Sequence, residues 1–308
     1  MHIISAEQFN QQTLEAVFDA SDQMRNMDQA SMQDRRLLAE KHIGRQIVTL
    51  FYEPSTRTRL SFEAAAVKLG AGVVSTESAG KFSSAVKGES LEDTIRVIDG
   101  YNFDAIIIRH PIKGSAAQAA EVSTTPIINA GDGSGEHPTQ ALLDLYTIHQ
   151  HFQDMSGLKI VMGGDLKYGR TVRSLAQLLS NFRVDLIRFV STPELGIEED
   201  VKQNLTAHDI KYEETSNLNE ALENADVVYW TRLQKERLSN PRLLKAAKFS
   251  INKRSLKILP EHAIIMHPLP RNKEIAAEVD NDPRAKYFKQ AANGLYVRMA
   301  ILDSIFND

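Results

Sequence analysis

The chain of 308 residues contains no cysteine. That excludes disulfides, thiolate zinc sites, iron–sulfur ligation and cysteine nucleophiles from this chain. It also fits a reducing cytoplasm. An excess of positive charge is missing too. Lys and Arg number 36 against 40 Asp and Glu, a net charge of −4, which gives no support for a nucleic-acid surface. No apolar run approaches the ~20 residues that span a bilayer, so no membrane partner is expected. The opening residues Met1–Glu7 lack a basic stretch followed by an apolar one and are expected not to act as a secretory signal. There is no low-complexity tract, internal repeat or long Pro/Gly/Ser linker.

What is present is ordinary globular material. A hydrophobic share of 42% with 25% charged residues is enough to build sizeable cores. At about 100–200 residues per domain, the length suggests two. Short β-rich runs alternate with helical patterns. The expected strands are Gln46–Tyr52, Gly72–Thr76, Asp104–Arg109, Pro126–Asn129, Lys159–Gly163, Asp185–Val190, Asp226–Trp230 and Ala263–His267. Between them lie helical patterns, among them Arg59–Leu69, Leu91–Asp99, Pro138–Phe152, Arg170–Ser180 and Asn217–Glu223. Runs such as Ala105–Ile108 read as strands buried on both faces. That alternation predicts an α/β fold of two domains, each with a central, mainly parallel sheet flanked by helices. The polar break from Phe152 to Gly157 sets the expected boundary, with domains at 1–150 and 151–286.

In open α/β sheets ligands sit beyond the carboxyl ends of strands, so polar clusters following strands are the places to look for chemistry. The densest is Phe51–Glu63, where Ser55–Arg59 holds three hydroxyls and two guanidiniums in five residues. A helix start supplies N–H groups and partial positive charge, and hydroxyls with a bidentate Arg suit a tetrahedral dianion. The plainer alternative is a single N-cap Ser or Thr with a solvated first turn. The density of donors favours an anion site.

Two glycine-bearing stretches imitate nucleotide motifs. Residues Gly164–Thr171 nearly match a P-loop, but Arg170 stands where its lysine belongs, and a guanidinium is a poor substitute for that compact charge. The glycines of Gly131–Gly135 have the wrong spacing for a dinucleotide fingerprint and are expected to form a flexible turn.

Other clusters follow other strands. In His137-Pro138-Thr139-Gln140, Pro138 suits the first helical position and leaves His137 at the cap. There the helix dipole disfavours the imidazolium, so His137 is expected to be a neutral donor, with Gln140 one turn on. Arg109 follows a strand, and its alternative is an ordinary terminal arginine. Thr231-Arg232-Leu233-Gln234 follows another, with Arg232 and Gln234 on one side of an extended continuation. In His267-Pro268-Leu269-Pro270-Arg271 two prolines withhold N–H donors and leave carbonyls as acceptors. The segment Lys81–Ser90 reads as a surface loop carrying Ser83 and Lys87. His149 and His151 are two apart and cannot share a helix face. His208 and His262 have no clear partner in sequence. No metal site and no Gly-x-Ser-x-Gly nucleophile elbow are expected.

Together, Ser55-Thr56-Arg57-Thr58-Arg59 and His137-Pro138-Thr139-Gln140 resemble the carbamoyl-phosphate signature of the transcarbamoylase family. The likeness runs over nearly the whole chain. His267-Pro268-Leu269-Pro270, Thr231–Arg237 and Gly164–Thr171 resemble the members that use aspartate. Ornithine-using members carry a His-Cys-Leu-Pro segment instead. One departure is Val86, where some members have a second lysine.

The resemblance implies transfer of the carbamoyl group of carbamoyl phosphate to the amine of L-aspartate, giving N-carbamoyl-L-aspartate and phosphate, an early step of pyrimidine biosynthesis. It implies that Ser55, Thr56, Arg57 and Thr58 bind the phosphate. Thr58, Arg109 and His137 would hold the developing oxyanion. Gln140 and the carbonyls of Leu269 and Pro270 would orient the carbamoyl and amine groups. Arg170, Arg232 and Gln234 would take the carboxylates of aspartate. No cofactor is implied. It further implies a homotrimer in which Ser83 and Lys87 serve a neighbouring subunit's site. A C-terminal helix, about 287–308, would return to the first domain. Some relatives work as bare trimers and others join zinc-bearing regulatory chains.

Overall fold

A computed structural model describes residues 1–77, 79, 88–233 and 249–307. The chain divides into two compact units. Unit 1 comprises Met1–Leu142 with Asn293–Asp308, and unit 2 comprises Leu143–Ala292.

Unit 1 is built on four strands, β1 (Gln46–Phe51), β2 (Gly72–Glu77), β3 (Ala105–His110) and β4 (Ile127–Asp132), in the order β2-β1-β3-β4. Every pairing is parallel. The helices α1 (Gln11–Gln29), α2 (Met32–Glu40), α3 (Thr56–Lys68), α4 (Leu91–Asp99) and α5 (Ser115–Val122) belong to this unit. The central strands are buried along almost their whole length, as the apolar run Ala105–Ile108 required. Ile3 adds a parallel bridge to Ile128 at the sheet margin. Strand β4 runs on to Asp132 rather than ending at Asn129: past an irregularity at Gly131, where φ is +115°, Asp132 pairs with His110 of β3. So Gly131 and Asp132 are strand residues, and the expected turn is confined to Gly133–Gly135.

Unit 2 holds five parallel strands, β5 (Lys159–Gly163), β6 (Leu186–Val190), β7 (Tyr212–Thr215), β8 (Val227–Trp230) and β9 (Ile264–Met266), in the order β7-β6-β5-β8-β9. Its core gathers Val161, Val228, Trp230, Ile265 and Tyr287 with their neighbours. Helices α7 (Arg170–Leu179), α8 (Glu199–Ala207), α9 (Leu218–Leu222) and α10 (Lys253–Ile258) belong to this unit. Two longer helices, α6 (Pro138–Phe152) and α11 (Tyr287–Asn307), contribute to both units. The later part of α11 packs within unit 1: Arg25 reaches Asn293 at 3.0 Å, and Arg298 lies over the Phe62 ring.

Strand β7 was absent from the expected set. Its sequence, Tyr212-Glu213-Glu214-Thr215, has no apolar alternation, because it lies at the sheet edge with both glutamates exposed. It is held by a cross-strand pair in register, Arg188 to Glu213 at 2.8 Å. Among the described residues, no helix is long and apolar enough to cross a membrane.

Candidate active site

Both sheets reverse their order of winding at one point. In unit 1 the chain winds to β2 on one side of β1 and to β3 and β4 on the other. In unit 2 the reversal falls between β5 and β8. Such switch points open a crevice at the carboxyl ends of the strands. Several of the singled-out residues lie at these strand ends, unit by unit: in unit 1 Ser55–Thr58 after β1 and Arg109 in β3, and in unit 2 Arg170 after β5 and Arg232 after β8.

In unit 1, α3 starts at Thr56, inside the donor cluster and three residues before the helical pattern predicted. Ser55 occupies the N-cap but makes no side-chain cap bond; its hydroxyl donates to the Thr58 hydroxyl at 3.0 Å. Ser55 thus stands at the cap position without making the cap hydrogen bond. Thr58 is buried, while Thr56 and Arg57 are exposed. Arg109 is not an ordinary terminal arginine. It is 9% exposed and its guanidinium is held by the Ala130 carbonyl at 3.0 Å and by the Glu53 carboxylate at 3.0 Å. Glu53 sits inside the donor-rich run, but nothing in the sequence paired it with an arginine 56 positions away.

His137 precedes α6, which begins at Pro138 as the cap reading required. It is buried, and the loop leading to it is clamped. The Asp132 carboxylate accepts the Glu136 N–H at 2.6 Å and the Gly114 N–H at 2.7 Å. The Glu136 carboxylate in turn accepts the Ser5 hydroxyl at 2.7 Å and the Ala6 N–H at 2.8 Å. This support from the N-terminal segment is long-range and left no local trace. Gln140 lies in the first turn of α6, its N–H bonded to the His137 carbonyl at 3.0 Å.

In unit 2 the near-P-loop is pinned by its own aspartate. Asp165 is fully buried; its N–H donates to the Thr231 hydroxyl at 2.9 Å and its carboxylate accepts the Tyr168 N–H at 2.9 Å. A buried carboxylate using the loop's donors is the opposite of a phosphate cradle. Gly164 has φ +95°, and a Cβ there would lie 2.0 Å from the Thr231 carbonyl oxygen. Thus the loop leading into α7 and Arg170 is locked to the residue next to Arg232. After β9 come Leu269 and Pro270, joined by a cis peptide bond, with Leu269 at φ +46°.

Ser83, Lys87 and Gln234 lie outside the described residues. His262, for which the sequence suggested no partner, meets Asp226 at 2.7 Å. Among the described residues, no three His, Asp or Glu side chains converge as a metal site would need.

Known proteins share this architecture. The family model of the aspartate/ornithine carbamoyltransferase carbamoyl-P binding domain matches residues 1–150, and that of the Asp/Orn binding domain matches residues 156–305. Chloroplastic aspartate carbamoyltransferase 1 of Pisum sativum is 49% identical over 303 residues, covering 97% of this chain and 77% of the relative. The aspartate carbamoyltransferase catalytic subunit of Methanocaldococcus jannaschii is 47% identical over 307 residues, covering 100% and 98%. Among solved structures, Trypanosoma cruzi aspartate transcarbamoylase with N-(phosphonacetyl)-L-aspartic acid superposes with a TM-score of 0.90 at 40% identity, covering 98% of this chain and 95% of that one. The M. jannaschii catalytic subunit gives a TM-score of 0.89 at 44% identity, covering 100% and 98%.

Proposed function

The chain belongs to the aspartate/ornithine carbamoyltransferase family, and we propose that it carbamoylates L-aspartate with carbamoyl phosphate, releasing N-carbamoyl-L-aspartate and phosphate for pyrimidine synthesis. The observation that carries this is the pair of cation-bearing strand ends, one at each sheet's switch point, in a chain matched by both domain models.

The amine of aspartate attacks the carbamoyl carbon and a tetrahedral oxyanion forms. Thr58, Arg109 and His137 donate to that oxygen, where preorganised donors stabilise developing charge most. Arg109 suits this task because Glu53 and the Ala130 carbonyl already fix its guanidinium. Ser55, Thr56, Arg57 and Thr58 hold the phosphate, and Arg57 balances its charge as it leaves. The departing phosphate accepts the amine proton, so no protein nucleophile is needed and positioning supplies much of the rate. Gln140 and the carbonyls of Leu269 and Pro270 orient the carbamoyl and amine groups. Arg170, Arg232 and Gln234 take the two carboxylates of aspartate, a pairing suited to guanidinium forks.

Assaying phosphate release with aspartate and with ornithine side by side tests the reading. Turnover with aspartate alone is expected; turnover with ornithine alone overturns it.

In the same reading the chain acts as a homotrimer, with Ser83 and Lys87 of one subunit serving the next. Supporting this, Leu37, Ile43, Leu60, Val67 and Val74 are all more than half exposed on or beside α2, α3 and β2 of unit 1. Exposed apolar residues gathered on neighbouring elements suit a subunit interface. Mixing inactive Lys87→Ala and Arg57→Ala chains should restore activity in hybrid trimers. Absence of recovery after verified subunit exchange would count against shared sites.

A further inference from the structure

We propose that His267, held in one tautomer by Glu274, is a positioning residue that aims the Leu269 and Pro270 carbonyls. The inference rests on the reading of those carbonyls as acceptors for the carbamoyl and amine groups.

His267 directly follows β9 and is 1% exposed. Its main chain is tied down first. The His267 N–H donates to Gln290 Oε1 at 2.8 Å, and Gln290 Nε2 donates to Asp144 Oδ1 at 2.6 Å. The other Asp144 oxygen accepts the Tyr229 hydroxyl at 2.6 Å. Burial, reinforced by that carboxylate, pushes the Tyr229 phenol well above its ordinary range, so it stays a donor.

The imidazole then acts on the loop. The Leu269 N–H donates to His267 Nδ1 at 2.8 Å, so Nδ1 must carry a lone pair. The proton therefore sits on Nε2, facing Glu274 Oε1 at 3.1 Å. The same Glu274 oxygen accepts the Asn272 N–H at 2.9 Å. Burial would raise the Glu274 carboxyl, but the His267 donor and the Asn272 N–H hold it below its usual range.

Residues 268–270 are Pro-Leu-Pro, and proline has no N–H. Leu269 is thus the only backbone donor in that stretch, and His267 takes it. Leu269 also holds φ +46°, a region a bulky side chain seldom enters unsupported. A proton moved to Nδ1 would set N–H against N–H and release the segment.

The test measures kcat, both KM values and thermal unfolding in the full chain carrying Glu274→Leu, Glu274→Gln, His267→Leu or His267→Asn. Leucine at either position is expected to cost about a hundredfold in kcat through misaligned acceptors. Gln at 274 keeps an acceptor for Nε2–H, and Asn at 267 keeps one for the Leu269 N–H. Each is expected to recover at least about tenfold over its leucine counterpart. The double leucine variant should be no worse than His267→Leu alone, since the two act as one unit. Near-wild-type kcat in His267→Leu, or Asn as poor as Leu at equal melting temperature, would overturn the proposal. Amide hydrogen exchange at Leu269 decides independently of turnover: it should quicken in both leucine variants, and unchanged exchange rejects the relay. A wild-type chain inert towards aspartate would defeat the transfer reading while leaving that exchange result to judge the relay.

Discussion

In unit 1 the groups assigned to phosphate form one uninterrupted run, Ser55–Thr58, on the first turn of α3. In unit 2 the groups assigned to aspartate and to the reacting amine come singly: Arg170 at the start of α7, Arg232 after β8, and the Leu269 carbonyl after β9. A contiguous run is positioned by its helix, because successive backbone N–H groups already converge. Single residues from separate segments share no such template and need bracing. Unit 2 supplies it with buried polar groups, Asp165 on Thr231 for the arginine loops and Glu274 on His267 for the proline segment. A small tetrahedral dianion suits one helix start, whereas two carboxylates a few bonds apart call for separate cations.

Arg57→Ala offers the sharpest way to break this comparison. It removes a donor to the leaving phosphate, and kcat is expected to fall about a thousandfold with little change in KM for aspartate. Phosphate-release kinetics check it, and near-wild-type turnover would remove Arg57 from the mechanism. Next in size, Arg232→Ala should lower kcat/KM for aspartate about a hundredfold, the scale of a lost charge-assisted pair. Carbamoyl-phosphate binding by calorimetry should survive. Equal loss of both would mean that the two units do not divide the substrates as described.

The brace itself is open to a stability test. Gly164→Ala places a Cβ 2.0 Å from the Thr231 oxygen at φ +95°, and should destabilise the fold by about 1–3 kcal/mol. Urea titration would measure this, and an unchanged midpoint would show that the Gly164–Thr231 approach is dispensable.

The smallest effect concerns pH and unit 1. Burial holds the His110 imidazole below its ordinary range, although Asp132 and Glu53 pull the other way. The folded state then binds fewer protons at this site than the unfolded chain. Its contribution is present at neutral pH and is lost as pH falls through the unfolded imidazole value of about 6.5. His110→Gln should flatten the decline in stability between about pH 7.5 and 5.5, and an unchanged slope would exclude the group as its source.

Much of this arrangement was legible in the sequence. The buried strands were, because Ala105–Ile108 and its counterparts are apolar on both faces. The start of α6 was, because Pro138 suits a first turn and not a helix interior. The edge strand β7 was not: a strand with exposed glutamates is chosen by its neighbour's register, not by its own hydrophobicity. The start of α3 was placed late for a related reason. Thr56 and Thr58 weaken helical patterning, and the polar first turn carries no apolar periodicity.

The candidate residues divide the same way. The chemistry was readable in the sequence by itself: which residues are donors, which carbonyls lack competing N–H groups, and, from the missing cysteine, which sites cannot exist. The tertiary structure alone decided how those groups are held. Glu53 on Arg109, Asp165 on Thr231, Glu136 on the N-terminal segment and His267 between Glu274 and Leu269 are arrangements made by folding. Side-chain identity is local and can be read along the chain. Orientation depends on partners that only folding brings within hydrogen-bond reach.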